Sequence, residues 1–189
     1  MTGFRSNALI ALGANLPSRV GAPAQTLIAA VAAMPAQGLS VRAVSRFFAT
    51  PCFPPGSGPD YVNAVVRVET DHDPAACLAA LHAIEAGFGR ERQQRWGMRT
   101  LDLDLLALDG TIAPDPATQT HWRDLSPEEQ RRIAPDQLIL PHPRLQDRGF
   151  VLVPLADIAP DWAHPILGQT VRDMLAALSA ADLAEIRPV

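Results

Sequence analysis

The sequence predicts a mixed α/β fold of α+β type: a single-domain ferredoxin-like βαββαβ sandwich with extra C-terminal helices. Three observations carry this. Up to Leu108, apolar segments alternate between strand-like and helix-like periods in the order β-α-β-β-α-β. Two β-α-β halves in that order make a split sheet with both helices on one face. The length of 189 residues suits one compact domain, and 48% hydrophobic against 19% charged residues is enough to build a core.

The first element is NALIALG at 7–13, a short apolar run that ends in the turn Gly13-Ala14-Asn15. It reads as a buried strand rather than a secretory leader, because no small-residue cleavage site follows it. Over 23–34, Leu27, Val31 and Met34 recur at helical spacing. LSVRAVSRFF at 39–48 is rich in β-branched and aromatic residues and predicts a strand. TPCFPPGSGP has four prolines and two glycines in ten residues, so it predicts an exposed loop. DYVNAVVRVE at 60–69 predicts the next strand. Asp73-Pro74 is a capping acid followed by proline in the first turn. It starts a helix with Cys77, Leu81, Ile84 and Phe88 as its apolar stripe and Gly87 and Gly89 at its end. Residues 90–100 show no period. LDLDLLAL at 101–108 alternates and then turns wholly apolar, which predicts a strand solvated on one face only at its start.

Beyond it, 109–137 is polar and proline-bearing. Ser126-Pro127-Glu128-Glu129 there resembles a capping box ahead of a short helix. Helices are expected near 148–158 and at 170–180, the latter capped by Thr170. There is no internal repeat.

Composition narrows the chemistry. The 16 basic residues are all arginine. With no lysine there is no P-loop lysine, Schiff base or lysine general base. Cationic work falls to guanidinium groups, which hold phosphate in a planar, bidentate way. A net charge of −4 argues against nucleic acid as a partner. Cys52 and Cys77 make no disulfide framework, which fits a reducing compartment, the cytoplasm. No apolar run approaches the ~20 residues of a membrane span.

The densest polar feature is Arg90, Arg92, Arg95 and Arg99 followed by Asp102 and Asp104. Residues i and i+2 of a strand share a side, so both carboxylates project together while Leu101, Leu103 and Leu105 enter the core. Paired carboxylates repel unless a cation lies between them, and magnesium is bound by one or two carboxylates with phosphate oxygens and water. The alternative is a solvated strand balanced by loop arginines. Tyr61 and Asn63 share a strand face and could hold a planar heterocycle, or could be ordinary strand residues. Pro141-His142-Pro143 stiffens the backbone around a histidine. His142 and Arg148 could face an anion and Phe150 could add a ring; alternatively the segment is a rigid connector. His72, His82, His121 and His164 lack ligand spacing and read as structural or solvated.

Together these segments resemble the 6-hydroxymethyl-7,8-dihydropterin pyrophosphokinase family of the folate pathway. ALGANL resembles the family's opening strand and turn, and TPCFPPGSGPDYVNAV its proline-bearing loop and pterin strand. IEAGFGRERQQRWGMRTLDLDLL resembles its signature segment and LPHPRLQDRGFVLVPL its late catalytic segment. The resemblance implies a ferredoxin-like fold and transfer of pyrophosphate from ATP to 6-hydroxymethyl-7,8-dihydropterin, giving AMP. It implies ATP as co-substrate and two magnesium ions, with Asp102 and Asp104 as metal ligands. Tyr61 and Phe150 match the rings that sandwich the pterin. Asn63 matches the side chain on the pterin's edge, and Thr50 a backbone contact to it. Arg90, Arg92, Arg99, His142 and Arg148 match nucleotide and phosphate contacts. Glu85 and Trp96 match positions near the site. The partners implied are these small molecules, with no nucleic acid and no membrane.

The segment after Asp109 is longer than the family's usual connection, an insertion at about 114–136. Either a helix at Ser126–Ile133 docks through Trp122, Leu125 and Ile133, or Arg123, Arg131 or Arg132 reaches the ATP. Docking is the preferred expectation, since long insertions cost little entropy and need not act in chemistry. Two other functions fit parts of the pattern: a two-metal nucleotidyltransferase with the same D-x-D pair, and a ferredoxin-like RNA-binding module. The second needs exposed aromatics with basic flanks, and this chain is 5% aromatic.

Overall fold

The computed structural model of the chain describes residues 5–52, 58–89 and 99–189. The first half runs β1 (Ser6–Ala14), α1 (Pro23–Ala33), β2 (Ser40–Val44), β3 (Phe48–Thr50), β4 (Tyr61–Thr70), α2 (Pro74–Gly87) and β5 (Asp102–Leu108). Then follow α3 (Pro116–Arg123), α4 (Pro127–Arg132), α5 (Gly149–Ile158), α6 (Val171–Ala177), α7 (Ala180–Leu183) and β6 (Arg187–Pro188). The sheet order is β5-β1-β4-β3-β6, with β2 also paired to β4, and every pairing is antiparallel. This is the expected split-sheet arrangement.

The strand expected over 39–48 is broken in two. Both pieces pair with β4, β2 along Val66–Glu69 and β3 along Tyr61–Asn63. The break falls at Ser45, whose hydroxyl accepts from Val65 N at 2.9 Å and takes the place of a backbone partner. Next to it, the Arg46 backbone N–H and guanidinium both bind the Asp157 carboxylate of α5. The strand therefore turns aside to meet a helix distant in sequence.

Both faces of the sheet are buried. On one face Ile10, Leu12, Val66, Val68, Leu103 and Leu105 pack with the α1 and α2 stripes, where Leu27, Met34, Cys77, Leu81 and Ile84 are buried. The α2 stripe is the expected one, and Asp73 caps the helix by accepting from Ala76 N at 2.8 Å. On the other face Leu9, Val65 and Leu106 pack with Val151, Leu152 and Leu155 of α5 and Val171 and Met174 of α6. Each fully buried Leu, Ile or Val contributes ~1.5–3 kcal/mol, so the second layer is a smaller but substantial addition to the first. It covers only part of its face, and the uncovered part becomes the site.

Helix α3 was not expected. Asp115 caps it, accepting from Thr118 N at 2.9 Å, and Pro116 begins it. This is the same Asp-Pro signal that marks α2. The expected helix over Ser126–Ile133 is α4, with its capping box, and of the three expected docking residues Trp122 and Leu125 are half-buried. Ile133 is 46% exposed. The buried anchor is Gln119 of α3, which donates from Nε2 to Pro141 O at 3.1 Å. The helix expected over 170–180 stops at Ala177, because Leu178 is extended, and Ser179 caps a new turn, α7. Among the described residues no helix is long and apolar enough to cross a membrane.

Candidate active site

Strand β5 delivers the aspartates as its pattern requires. Leu101, Leu103 and Leu105 are at most 3% exposed, while Asp102 and Asp104 stand half-buried on the opposite face. β5 is the sheet's edge strand, so one row of its N–H groups has no ladder partner. Glu85 of α2 meets that need, accepting from Leu103 N at 2.7 Å. Glu85 is thus buried among the α2 residues behind the sheet. It fixes the backbone between the two aspartates and does not face the cavity.

Register aligns Asp102 with Gly13 of β1, Asn63 of β4 and Phe48 of β3 in one row across the sheet. Gly13 keeps that row low: a Cβ there would meet Asn63 Oδ1 at 3.0 Å. Above the sheet lies an open cavity of about 730 Å³. Thr50, Tyr61, Arg99, Asp102, Asp104, His142, Arg148 and Phe150 all line it. These were singled out in the sequence from segments up to a hundred residues apart.

The cavity has two halves. Strands are ~4.8 Å apart, so β5 and β3 are separated by roughly 14 Å. At the β5 end Arg99 forms an ion pair with Asp102. Burial pushes the Arg148 guanidinium below its ordinary pKa, while the charges of Asp104 and Asp102 act to raise it. Burial, with Arg148 and Arg144 nearby, pushes His142 down to about 3. His142 is therefore neutral near pH 7. Its Nδ1 accepts from Arg144 N at 3.1 Å, so the ring proton sits on Nε2 and the imidazole is a hydrogen-bond donor. At the β3 end are Thr50, Pro51, Cys52 and the Tyr61 and Phe150 rings. Phe150 is 40% exposed and lies under Arg148, whose Cζ is 5.5 Å from the ring centroid. Burial raises the Tyr61 hydroxyl above its ordinary pKa, against the opposing charge of Arg99.

Asn63 stands in one row with Gly13 and Asp102, is 7% exposed, and donates from Nδ2 to Thr50 Oγ1 at 2.7 Å. Its amide braces the Thr50 side chain from behind. Arg90, Arg92, Arg95 and Trp96 lie outside the described residues, as do residues 53–57 of the proline-bearing loop. Arg123 and Arg132 are not among the cavity's lining residues, and Arg123 pairs instead with Asp124 at 2.8 Å.

Sequence reasoning missed three contributors. Asp147 lines the polar half. Asn15, read only as part of a turn, is 3% exposed and ties two segments together. Its Oδ1 accepts from Arg99 N at 2.8 Å and its Nδ2 donates to Pro59 O at 3.2 Å. Asn15 N and Leu16 N also donate to Arg99 O. Asparagine in a Gly-x-Asn turn after a strand is a signal that could have found it. The third contributor is the C-terminal segment, of which Ala181, Asp182, Glu185 and Ile186 line the cavity.

Among the described residues no group of three or more His, Cys, Asp or Glu side chains could hold a metal by itself. The Asp102 and Asp104 carboxylates, beside the Arg99 and Arg148 guanidinium groups, suit magnesium, which completes its shell with phosphate and water.

A family model described as 7,8-dihydro-6-hydroxymethylpterin-pyrophosphokinase matches residues 9–160. The chain is 33% identical over 182 residues to the 2-amino-4-hydroxy-6-hydroxymethyldihydropteridine pyrophosphokinase of Synechocystis, covering 96% of this chain and 80% of that one. It is 36% identical over 159 residues to the enzyme of the same name from Haemophilus influenzae, covering 84% of each. Among solved structures, it resembles the wild-type Plasmodium falciparum HPPK-DHPS with pterin and p-hydroxybenzoate at a TM-score of 0.63 and 15% identity. That match spans 92% of this chain and 43% of the longer one, and shows a shared fold. On the family-model match over most of the chain and these identities, the chain belongs to the 7,8-dihydro-6-hydroxymethylpterin-pyrophosphokinase family.

Proposed function

We propose that the β5 end of the cavity binds the polyphosphate of ATP and the β3 end binds 6-hydroxymethyl-7,8-dihydropterin. The activity is the family's: a pyrophosphokinase of folate biosynthesis acting on a pterin. The observation that carries the assignment of residues is that Asp102, Asp104, Arg99, Arg148, Tyr61 and Phe150 line one cavity.

In this reading Tyr61 and Phe150 bracket the pterin ring, and Thr50, braced by Asn63, meets its edge. The hydroxymethyl oxygen attacks the β-phosphorus of ATP, the bond from that phosphorus to the α–β bridging oxygen breaks, and AMP leaves. Such transfers depend on positioning and on spreading negative charge, which guanidinium groups supply without lysine. Arg99 and Arg148 hold the phosphates, and His142 donates from Nε2. Arg90 and Arg92 are assigned to the same phosphates on the family resemblance of their segment.

Asp102 and Asp104 would hold two Mg²⁺ ions, which when bound supply charge neutralisation on the transferring oxygens. His142 is a poor general base, since its one free nitrogen carries the proton. The hydroxymethyl proton leaves late, with Asp102 as the acceptor this chain offers. Two buried free cysteines fit a reducing compartment, and we place the enzyme in the cytoplasm.

The test is an assay with ATP, Mg²⁺ and 6-hydroxymethyl-7,8-dihydropterin that follows nucleotide products. AMP formed only when both pterin and Mg²⁺ are present is the expected result. Release of free pyrophosphate with nucleotide attached to the acceptor would instead identify a nucleotidyltransferase, and ADP a simple kinase.

A further inference from the structure

The family model ends at residue 160, yet four residues of the cavity wall come from 181–186. This segment is fixed in place at both ends. Ser179 caps α7, and Asp182 closes the box by accepting from Ser179 Oγ at 2.7 Å and Ser179 N at 3.2 Å. Beyond α7, β6 adds a short strand to the sheet edge, pairing Arg187 with Ala49 and Pro188 with Phe48. Val189 N then donates to Phe47 O at 2.9 Å. Between these anchors the chain presses on Gly149, where a Cβ would meet Ile186 Cδ1 at 2.9 Å and Asp182 O at 3.2 Å. Only glycine lets the tail lie this close to Phe150.

The two cavity-lining carboxylates of the tail differ. That of Asp182 is used by its own helix cap. That of Glu185 has no hydrogen-bond or ion-pair partner among the described residues, and it lines the cavity. Position and charge agree about which substrate it meets. β6 is four strand spacings from β5, roughly 19 Å. Glu185 does not cluster with Asp102 and Asp104 as a metal group. A free carboxylate repels polyphosphate but accepts hydrogen bonds from a neutral heterocycle rich in N–H groups.

We propose that the C-terminal segment Ser179–Val189 is a wall of the pterin subsite, with Glu185 accepting an N–H of the heterocycle and Ile186 covering it beside Phe150. The proposal rests on the assignment of the β3 end to pterin. Glu185 is thus a specificity residue for one of the two substrates, supplied from beyond the residues that the family model matches.

The experiment uses the full chain in the AMP-forming assay, varying each substrate at saturation of the other. Glu185→Ala is expected to raise the KM for pterin by about tenfold, from loss of a hydrogen bond to a charged group. It should leave kcat and the KM for ATP within about twofold of wild type, because the contact is uniform binding remote from the transferring phosphorus. Glu185→Gln keeps an acceptor oxygen and should recover most of the loss. Ile186→Ala, with thermal unfolding measured alongside, should raise the same constant. Glu185 is exposed, so its variants are expected to fold. An unchanged pterin KM in Glu185→Ala, or a change confined to ATP, overturns the proposal. Absence of AMP formation by the wild-type chain would instead overturn the assignment of function on which it rests.

Discussion

Replacing Asn15 by alanine should damage the ATP half of the site without touching a cavity-lining side chain. Asn15 is 3% exposed, and its amide makes one short bond to Arg99 N and one longer bond to Pro59 O, at 2.8 and 3.2 Å. A neutral hydrogen bond contributes ~1 kcal/mol net, and a donor left buried and unmet costs ~1–3 kcal/mol. The Arg99 site is only part-buried, so water can recover some of this, and a total of about 2 kcal/mol is expected. For a domain of this size that lowers Tm by roughly 4–8 °C. The bonds from Asn15 N and Leu16 N to Arg99 O survive the change, so Arg99 loses one anchor and stays near its place. The KM for ATP should rise by about tenfold, the cost of a misplaced charge-assisted contact. Asn15→Asp keeps the acceptor for Arg99 N and removes the donor to Pro59. It should therefore show the smaller KM effect while still losing stability. Thermal unfolding by circular dichroism and the AMP assay measure both. A Tm within about 1 °C of wild type would refute the stability reasoning. An unchanged ATP constant alongside a large Tm loss would refute the link to Arg99.

Asp104→Asn removes one of two paired charges and should lower AMP formation by roughly a hundredfold or more with little change in Tm; near-normal rates at millimolar Mg²⁺ would refute its role. Thr50→Val removes the hydroxyl that accepts from Asn63 Nδ2 and leaves that buried amide short of a partner. It should cost ~1–3 kcal/mol of stability and weaken pterin binding more than binding of a non-hydrolysable ATP analogue, as titration calorimetry would read. His164 is fully buried, accepts from Ile166 N and Leu167 N, and is pushed down to about 4 by burial and by Arg123. Between pH ~6.5 and 4 the unfolded chain binds a proton there that the folded chain does not, so stability is full above that window and falls as pH drops through it. The slope from this group is at most ~1.4 kcal/mol per pH unit, and His164→Asn should flatten that part of the Tm-against-pH curve.

What was legible in the sequence is what local pattern determines. The i, i+2 aspartates on a strand with leucines between them needed no tertiary knowledge, and neither did the Asp73-Pro74 start of α2. The Asp115-Pro116 start of α3 was equally available and was obscured by the prolines around it. Ser45 could not be foreseen as a strand break. The residues on either side favour β structure, and the bend exists because Arg46 finds Asp157, 111 positions away. The same limit applies to Asn63. Its strand face was correctly anticipated, but whether its amide meets a ligand or a neighbouring threonine depends on β3 lying beside β4 at that register.

The site shows why the tail in particular escaped notice. A βαββαβ sheet covered by helices on one face leaves the other face bare, and apolar residues such as Leu9, Val65 and Leu106 require a cover there. In this chain α5 and α6 supply it over β4 and its neighbours, leaving the ends of β4, β3 and β5 open as the cavity. Closing such a cavity on the β3 side needs a segment that can also satisfy β3's free edge. β6 and α7 do both within eleven residues, Ser179 to Val189, by adding a strand and packing on Gly149. Nothing in ADLAEIRPV marks it as part of a binding site, because its contacts are made by backbone pairing and by the absence of a side chain at Gly149. Gly149 is the readable half of that contact. A glycine between Arg148 and Phe150, at the first turn of a helix with no turn to explain it, signals that another part of the chain must pass close by.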